Sequence, residues 1–123
     1  MWNEPDVDLV RGHLDQAVSE TFVFSDPQQH HVGREALAAN VVGLRTDKPR
    51  YRFVIATELD RQHDVYRYEW RMMSGSRVLL RGLDIARLGS DGLLDRVDGF
   101  FGSLTPMLDP DAGSLIPASF RLG

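Results

Sequence analysis

A carboxylate set into an apolar strand face is the first place in this chain where chemistry can happen. The run Arg77-Val78-Leu79-Leu80-Arg81-Gly82-Leu83-Asp84-Ile85-Ala86-Arg87-Leu88 alternates as a strand, and Val78, Leu80, Gly82, Ala86 and Leu88 form a buried stripe that Asp84 interrupts. A carboxylate there has to be paired, protonated or used. Gly82, two residues earlier on the same face, omits a side chain and predicts a pocket beside Asp84 rather than a filled core. The same alternation turns Tyr66, Tyr68, Trp70 and Met72 of the neighbouring segment toward Asp84, and Arg67, Glu69 and Arg71 away from it. An apolar, aromatic surrounding raises a carboxyl pKa by desolvation, which makes Asp84 a candidate acid or base next to a carbonyl group. Its other reading is an acceptor for a Tyr or Trp side chain or a backbone amide.

Three further polar residues are candidates. Asp26 precedes Pro27 at the end of a short strand, either at the pocket mouth opposite Asp84 or as a turn residue bonding its own backbone. His30 and His31 fall in a polar loop from Gln28 to Gly33, where one of them could present a base to a ligand. Adjacent residues of an extended segment point opposite ways, so at most one reaches the pocket; the other reading is a solvated loop. With Asp26 they lack a third ligand at suitable spacing, so neither a metal nor any other cofactor is expected. Phe53, Tyr66, Tyr68, Trp70 and Phe101 suit either core or ligand platform, and their concentration near Asp84 points to a small, largely apolar or aromatic ligand. His13 and His63 read as helix-face and turn residues.

The elements that must position these residues follow from the change of period along the chain. Val7, Val10, Leu14, Ala17 and Val18 recur at helical spacing behind the capping residues Asn3 to Asp6, predicting a helix from Asp6 to Val18. Glu20 to Ser25 is aromatic and β-branched and predicts a strand that Asp26-Pro27 ends. Arg34 to Leu44 predicts a second helix, broken by Thr46-Asp47-Lys48-Pro49. From there the pattern alternates, with strands expected at Tyr51 to Glu58, Val65 to Met73, Arg77 to Leu88 and Leu93 to Phe101. Hairpin-length connections at Asp60 to Asp64, Ser74 to Ser76 and Gly89 to Gly92 predict an antiparallel meander, with the helices on one sheet face. The α+β class follows. Residues 103–123 carry Pro106, Pro110, Gly113 and Pro117 together with Leu104, Met107, Leu108, Leu115, Ile116 and Phe120, a tail expected to pack on its own pocket mouth or on a partner.

With 123 residues the chain is expected to form a single domain, 1–123, able to bury a core. A net charge of −4 with both signs interspersed carries no footprint for nucleic acid or anionic lipid. Absence of cysteine excludes disulfide and thiolate chemistry. No apolar run reaches membrane-spanning length and no signal pattern opens the chain, so a cytoplasmic location is expected.

The words Trp2-Asn3-Glu4-Pro5-Asp6, Phe24-Ser25-Asp26-Pro27, Val32-Gly33-Arg34-Glu35-Ala36-Leu37, Tyr68-Glu69-Trp70, Gly82-Leu83-Asp84, and Asp91-Gly92 followed by Gly99-Phe100-Phe101-Gly102 stand in this order. With them, the chain from Trp2 to Gly102 resembles the SnoaL-like (polyketide cyclase-like) branch of the nuclear transport factor 2-like superfamily. The resemblance implies a cone of curved antiparallel sheet closed by helices around a pocket, a cystatin-like roll, commonly a homodimer packed through the outer sheet face. Leu79, Leu83 and Ile85 on that face suit such a seam. Family members include aldol-type cyclases, ketosteroid isomerases, epoxide hydrolases, dehydratases and non-catalytic proteins, so the resemblance implies a pocket rather than one reaction.

Several family features have no counterpart here. Members carry a helix before the position of Trp2, and either the start is truncated or the apolar tail substitutes. That helix also supplies the isomerases' hydroxyl donor. The cyclases' last-strand carboxylate falls on Gly99, while Asp98 faces out by alternation, and the epoxide hydrolases' arginine falls on Gly82. Two functions are therefore expected side by side. One is proton transfer on a carbonyl compound, isomerisation or aldol-type cyclisation, with Asp84 as acid/base and His30, His31 or a Tyr hydroxyl polarising the oxygen. The other is a non-catalytic ligand-binding or dimeric interaction module.

Overall fold

Asp6 starts the fold by accepting the Asp8 amide on its side chain at 3.0 Å, a cap that turns the chain through a 3₁₀ turn, Val7–Leu9, into helix α1, Val10–Ala17. The computed structural model describes residues 2–102 and 104; of the expected apolar tail at 103–123, all but Leu104 lies outside the described residues. Val10 and Leu14, one helical turn apart, are the buried face of α1.

Strand β1, Val18–Asp26, follows directly and is longer than its aromatic centre predicts. The stretch expected as a polar loop instead contains a second strand, β2, Gln29–Val32, paired antiparallel to β1 from Val23↔Val32 to Asp26↔Gln29. The reason is local. Asp26 Oδ1 accepts the amides of Gln28 at 2.8 Å and Gln29 at 3.1 Å, folding Asp26-Pro27-Gln28-Gln29 into a tight turn that returns the chain along β1. Gly33, at φ 95°, then turns the chain into helix α2, Arg34–Asp47, which runs three residues beyond its predicted end. Leu37, Ala38 and Val41 bury its inner face.

The remaining strands are β3, Tyr51–Ile55; β4, Asp60–Gln62, inside a stretch expected as a connection; β5, Val65–Ser74; β6, Arg77–Leu88; and β7, Leu94–Phe101. The seven strands form one open, mixed sheet in the order β2-β1-β7-β6-β5-β3, with β4 also pairing β5. The expected antiparallel pairing holds throughout β3, β5, β6 and β7, but β1 joins β7 in parallel. Period-2 patterning shows which residues share a face and is blind to which edge a distant strand joins.

The core lies between the helices and one sheet face. It joins Val10, Leu14, Leu37, Ala38 and Val41 of the helices to Val18, Phe22, Phe24, Ala86 and Val97 of the strands. On the opposite face Arg67, Glu69 and Arg71 are exposed, as their alternation predicts. Among the described residues no helix is long and apolar enough to cross a membrane.

Candidate functional site

Cross-strand register builds the site. Tyr68, Asp84 and Gly99 form one row across β5, β6 and β7, and Trp70, Gly82 and Phe101 form the next. Gly82 does not open the pocket as expected. A Cβ there would collide with the Trp70 indole and stand 2.5 Å from the Phe100 carbonyl oxygen, so its missing side chain is filled by that indole. Seated over Gly82, the indole donates Nε1–H to Asp84 Oδ1 at 2.8 Å, and the Tyr68 hydroxyl donates to Oδ2 at 3.0 Å. Gly99 is closely approached as well: a Cβ there would stand 2.9 Å from Asp84 Oδ1 and 3.3 Å from the Asp26 Cβ. Two acidic side chains from different strands thus converge on one bare backbone position.

Their surroundings differ. Burial pushes the Asp84 pKa above the ordinary carboxylate value; the Trp70 and Tyr68 hydrogen bonds work against that shift and the nearby charge of Asp26 adds to it. Burial, and then the Asp84 charge, also push the Tyr68 hydroxyl up, so it remains a phenol and a donor. Asp26 instead receives three N–H groups, the two turn amides on Oδ1 and the Gln29 side-chain amide on Oδ2 at 2.9 Å. Gln29 Oε1 is in turn 2.9 Å from His31 Nε2. Since the amide oxygen only accepts, the imidazole nitrogen facing it carries a proton.

A partly open cavity of about 640 Å³ surrounds the pair, a size that suits a small ring compound. Apolar groups dominate its wall. Leu37 and Leu44 of α2 form one side, and Phe53, Trp70 and Phe101 the sheet side. Trp2 closes the rim, its ring centroid 5.6 Å from Phe24 and 5.3 Å from Phe53. Asn3 fixes it there by exchanging two 2.7 Å hydrogen bonds with the Phe53 backbone.

The structure brings Asp26, Phe53, Tyr68, Trp70, Asp84 and Phe101 together on this cavity. Both readings of Asp26 hold at once, since it closes its own turn and faces the space beside Asp84. The histidines are placed differently from their expected loop. His30 is exposed on the face of β2 opposite Gln29, and His31, on the same face as Gln29, is half-buried with its ring against the Gln29 amide; neither lines the cavity. Tyr66 also lies off the wall, packed against the core with the Arg61 guanidinium 5.3 Å from its ring centre. Asp98 faces away and pairs with Arg96 at 2.8 Å, as its parity predicts. Among the described residues no three His, Asp or Glu side chains gather to hold a metal ion.

Sequence reasoning missed Trp2, Gln29, Asn40, Lys48 and the close approach at Gly99. Only Gly99 left a usable signal, a side-chain-free residue in register with the strand carboxylate. The others depend on how the helix and rim fold over the sheet.

The SnoaL-like domain family matches this chain over residues 1–97. A proposed isomerase of the SnoaL-like family from Agrobacterium tumefaciens is 32% identical, with 83% of this chain covering 88% of that one at a TM-score of 0.78. A proposed SnoaL-like polyketide cyclase from Jannaschia is similar at 15% identity, with 74% of this chain, 71% of that one and a TM-score of 0.60. A nuclear transport factor 2-like protein of unknown function from Cytophaga hutchinsonii is similar at 11% identity, with coverage of 78% and 82% and a TM-score of 0.59. The last two likenesses show the fold alone. No curated protein matches the chain.

Proposed function

This chain belongs to the SnoaL-like domain family, and from that footing we propose that it catalyses proton transfer next to a carbonyl group of a small, largely apolar compound. The convergence of Asp26 and Asp84 on the bare Gly99 carries this reading. Asp84, half-buried, and Asp26, held by three N–H groups, sit in different environments and divide into an acid and a base. Asp26, oriented by three N–H donors, takes the α-proton as carboxylate. Asp84, biased by burial toward its protonated form, donates its Oδ2 hydrogen to the substrate oxygen as enolate charge develops there. Trp70 and Tyr68, on the same cavity wall, orient Asp84 by one hydrogen bond to each oxygen.

Returning the proton from Asp26 to the far carbon of an unsaturated ketone completes an isomerisation; attack of the enolate on a second carbonyl completes an aldol-type closure. The 32% likeness to a proposed isomerase supports the first. For the outer sheet face the same reading adds a second copy of this chain.

The test is exchange of α-protons of a ring ketone in D₂O, followed by NMR. Asp26→Asn is expected to lower exchange by about a hundredfold or more, the scale of a lost general base. Asp84→Asn keeps a hydrogen-bond donor and should lose less than Asp84→Ala. The opposite ranking, with Asp84→Asn silent and Asp26→Asn active, makes Asp84 the base. A wild-type protein that binds the ketone without exchanging it is the non-catalytic module instead.

A further inference from the structure

The cavity has a second polar end that proton transfer does not use. Lys48 is the sole cationic side chain on the wall among the described residues. Its backbone is pinned where α2 meets β3: its amide donates to Leu44 O at 2.8 Å, and its carbonyl accepts the Tyr51 amide at 3.1 Å and Arg45 Nη2 at 3.0 Å. The ammonium stands 5.9 Å from the Tyr51 ring centre, at the rim. Beneath it lies Arg45, 6% exposed, which also donates to the Tyr51 carbonyl and whose Nε has no partner. Among the described residues no carboxylate pairs with either cation. One corner of the cavity therefore carries positive charge with no carboxylate partner among the described residues, Lys48 at the rim and Arg45 behind the wall.

The acidic corner is far from it. Tyr51 pairs with Ser74 and Asp84 with Tyr68, both on β5 and six residues apart, so roughly 20 Å of strand separates the two rows. Side chains reaching inward from both rows shorten that span to the length of a fused-ring body. An anionic group brought to the acidic corner would meet Asp26 and Asp84; at Lys48 it meets a donor and open charge.

We propose that the ligand is an elongated carbonyl acid, its carboxylate at the Lys48 corner, its apolar body along Leu37, Leu44 and Phe53, and its carbonyl at Asp84. The carboxylate end follows from the charge of the wall, and only the carbonyl end rests on the proton-transfer reading. Lys48 then selects the substrate and fixes its direction in the cavity. Because the ammonium is at the rim, its hold is salt-dependent.

The probes are para-oxocyclohexylbenzoate and its methyl ester, titrated into the full chain and followed by the emission of Trp2 and Trp70, both on the cavity wall. The acid is expected to bind roughly fivefold more tightly than the ester at low salt, the range of a partly exposed ion pair. That ratio should shrink as salt is added, fall to one in Lys48→Met and invert in Lys48→Glu. Lys48 is exposed, so both variants should fold. Equal or tighter binding of the ester to the wild type overturns the proposal, as does a preference for the acid that survives Lys48→Glu, or failure of both probes to change the emission. Exchange of the ketone's α-protons is read in the same samples. Acid preference without exchange removes the enzyme reading and leaves the carboxylate site, while exchange with no acid preference does the reverse.

Discussion

Asp84 is the carboxyl group of the cavity whose protonation the fold alters, and its effect on stability has a definite sign. In the unfolded chain it titrates as an ordinary aspartate, near 3.9. In the folded chain burial holds its proton to higher pH. Between the two values the folded state binds more protons than the unfolded state, so this contribution to stability is greatest at low pH and falls as pH rises through the window above about 4. Asn cannot titrate, and Asp84→Asn should therefore gain in Tm relative to wild type as pH rises above about 4. Thermal melts at matched ionic strength check this; a gap that widens in favour of wild type with rising pH would sink it. The glycines beside Asp84 separate stability from function. Gly82→Ala should destabilise by about 1–3 kcal/mol, since the added carbon meets the Trp70 indole and the Phe100 backbone. Gly99→Ala puts its carbon 2.9 Å from Asp84 Oδ1, so it should depress proton exchange more than it depresses the urea midpoint. Asp84 was legible in the sequence because a charge interrupts an apolar stripe. The true use of Gly82 was not, because alternation says which face a residue takes and nothing about how far a neighbouring indole leans across it.

At the scale of elements, the helices and central strands were readable because each buries one face and repeats with its own period. Val10 and Leu14 of α1, and Leu37 and Val41 of α2, are buried as that spacing predicts. β2 was not readable, since four polar or β-branched residues, Gln29–Val32, carry no apolar alternation and form a strand only because the Asp26 turn delivers them to β1. That hairpin carries part of the site. Gln29→Leu removes the donor on Asp26 Oδ2 and the acceptor of His31, and should lower exchange severalfold through a looser base, with kcat affected more than KM. Gln29→Glu, which cannot donate to Asp26 when ionised, should not restore it, and a variant with unchanged kcat would show that the two turn amides alone position Asp26. The α2–β3 corner depends on a different device. Arg45 donates to the carbonyls of Lys48 and Tyr51, so Arg45→Ala removes one donor from each, and should cost about 1–3 kcal/mol in urea unfolding. Nothing in the helical spacing of Arg45 announced that its head turns back under the chain.

For the whole molecule, the sheet has two faces, and among the described residues helices cover only one of them. On the other, Glu69, Leu83 and Phe100 form one cross-strand row, with Ile85 in the next beside Arg67 and Asp98. Phe100 is 55% exposed there, and Leu83 and Ile85 are only half-buried. Two of the charged pairs around them are engaged within the chain, Arg67 with Asp60 at 2.6 Å and Arg96 with Asp98 at 2.8 Å. Apolar side chains in a row edged by charge are suited to a second copy of the same face related by a twofold axis, since the row then faces its own image. A stable pair needs about 800 Å² buried on each copy, which the width of three adjacent strands can supply. Sedimentation velocity at tens of micromolar should show a dimer, and Phe100→Glu, placing a charge where the most exposed apolar side chain of the row stands, should shift it to monomer. Because Phe100 points away from the cavity, the monomeric variant should still bind the ketone acid with the wild-type preference over its ester. A wild-type monomer would leave the outer face to solvent, and a Phe100→Glu dimer would move the seam to another surface.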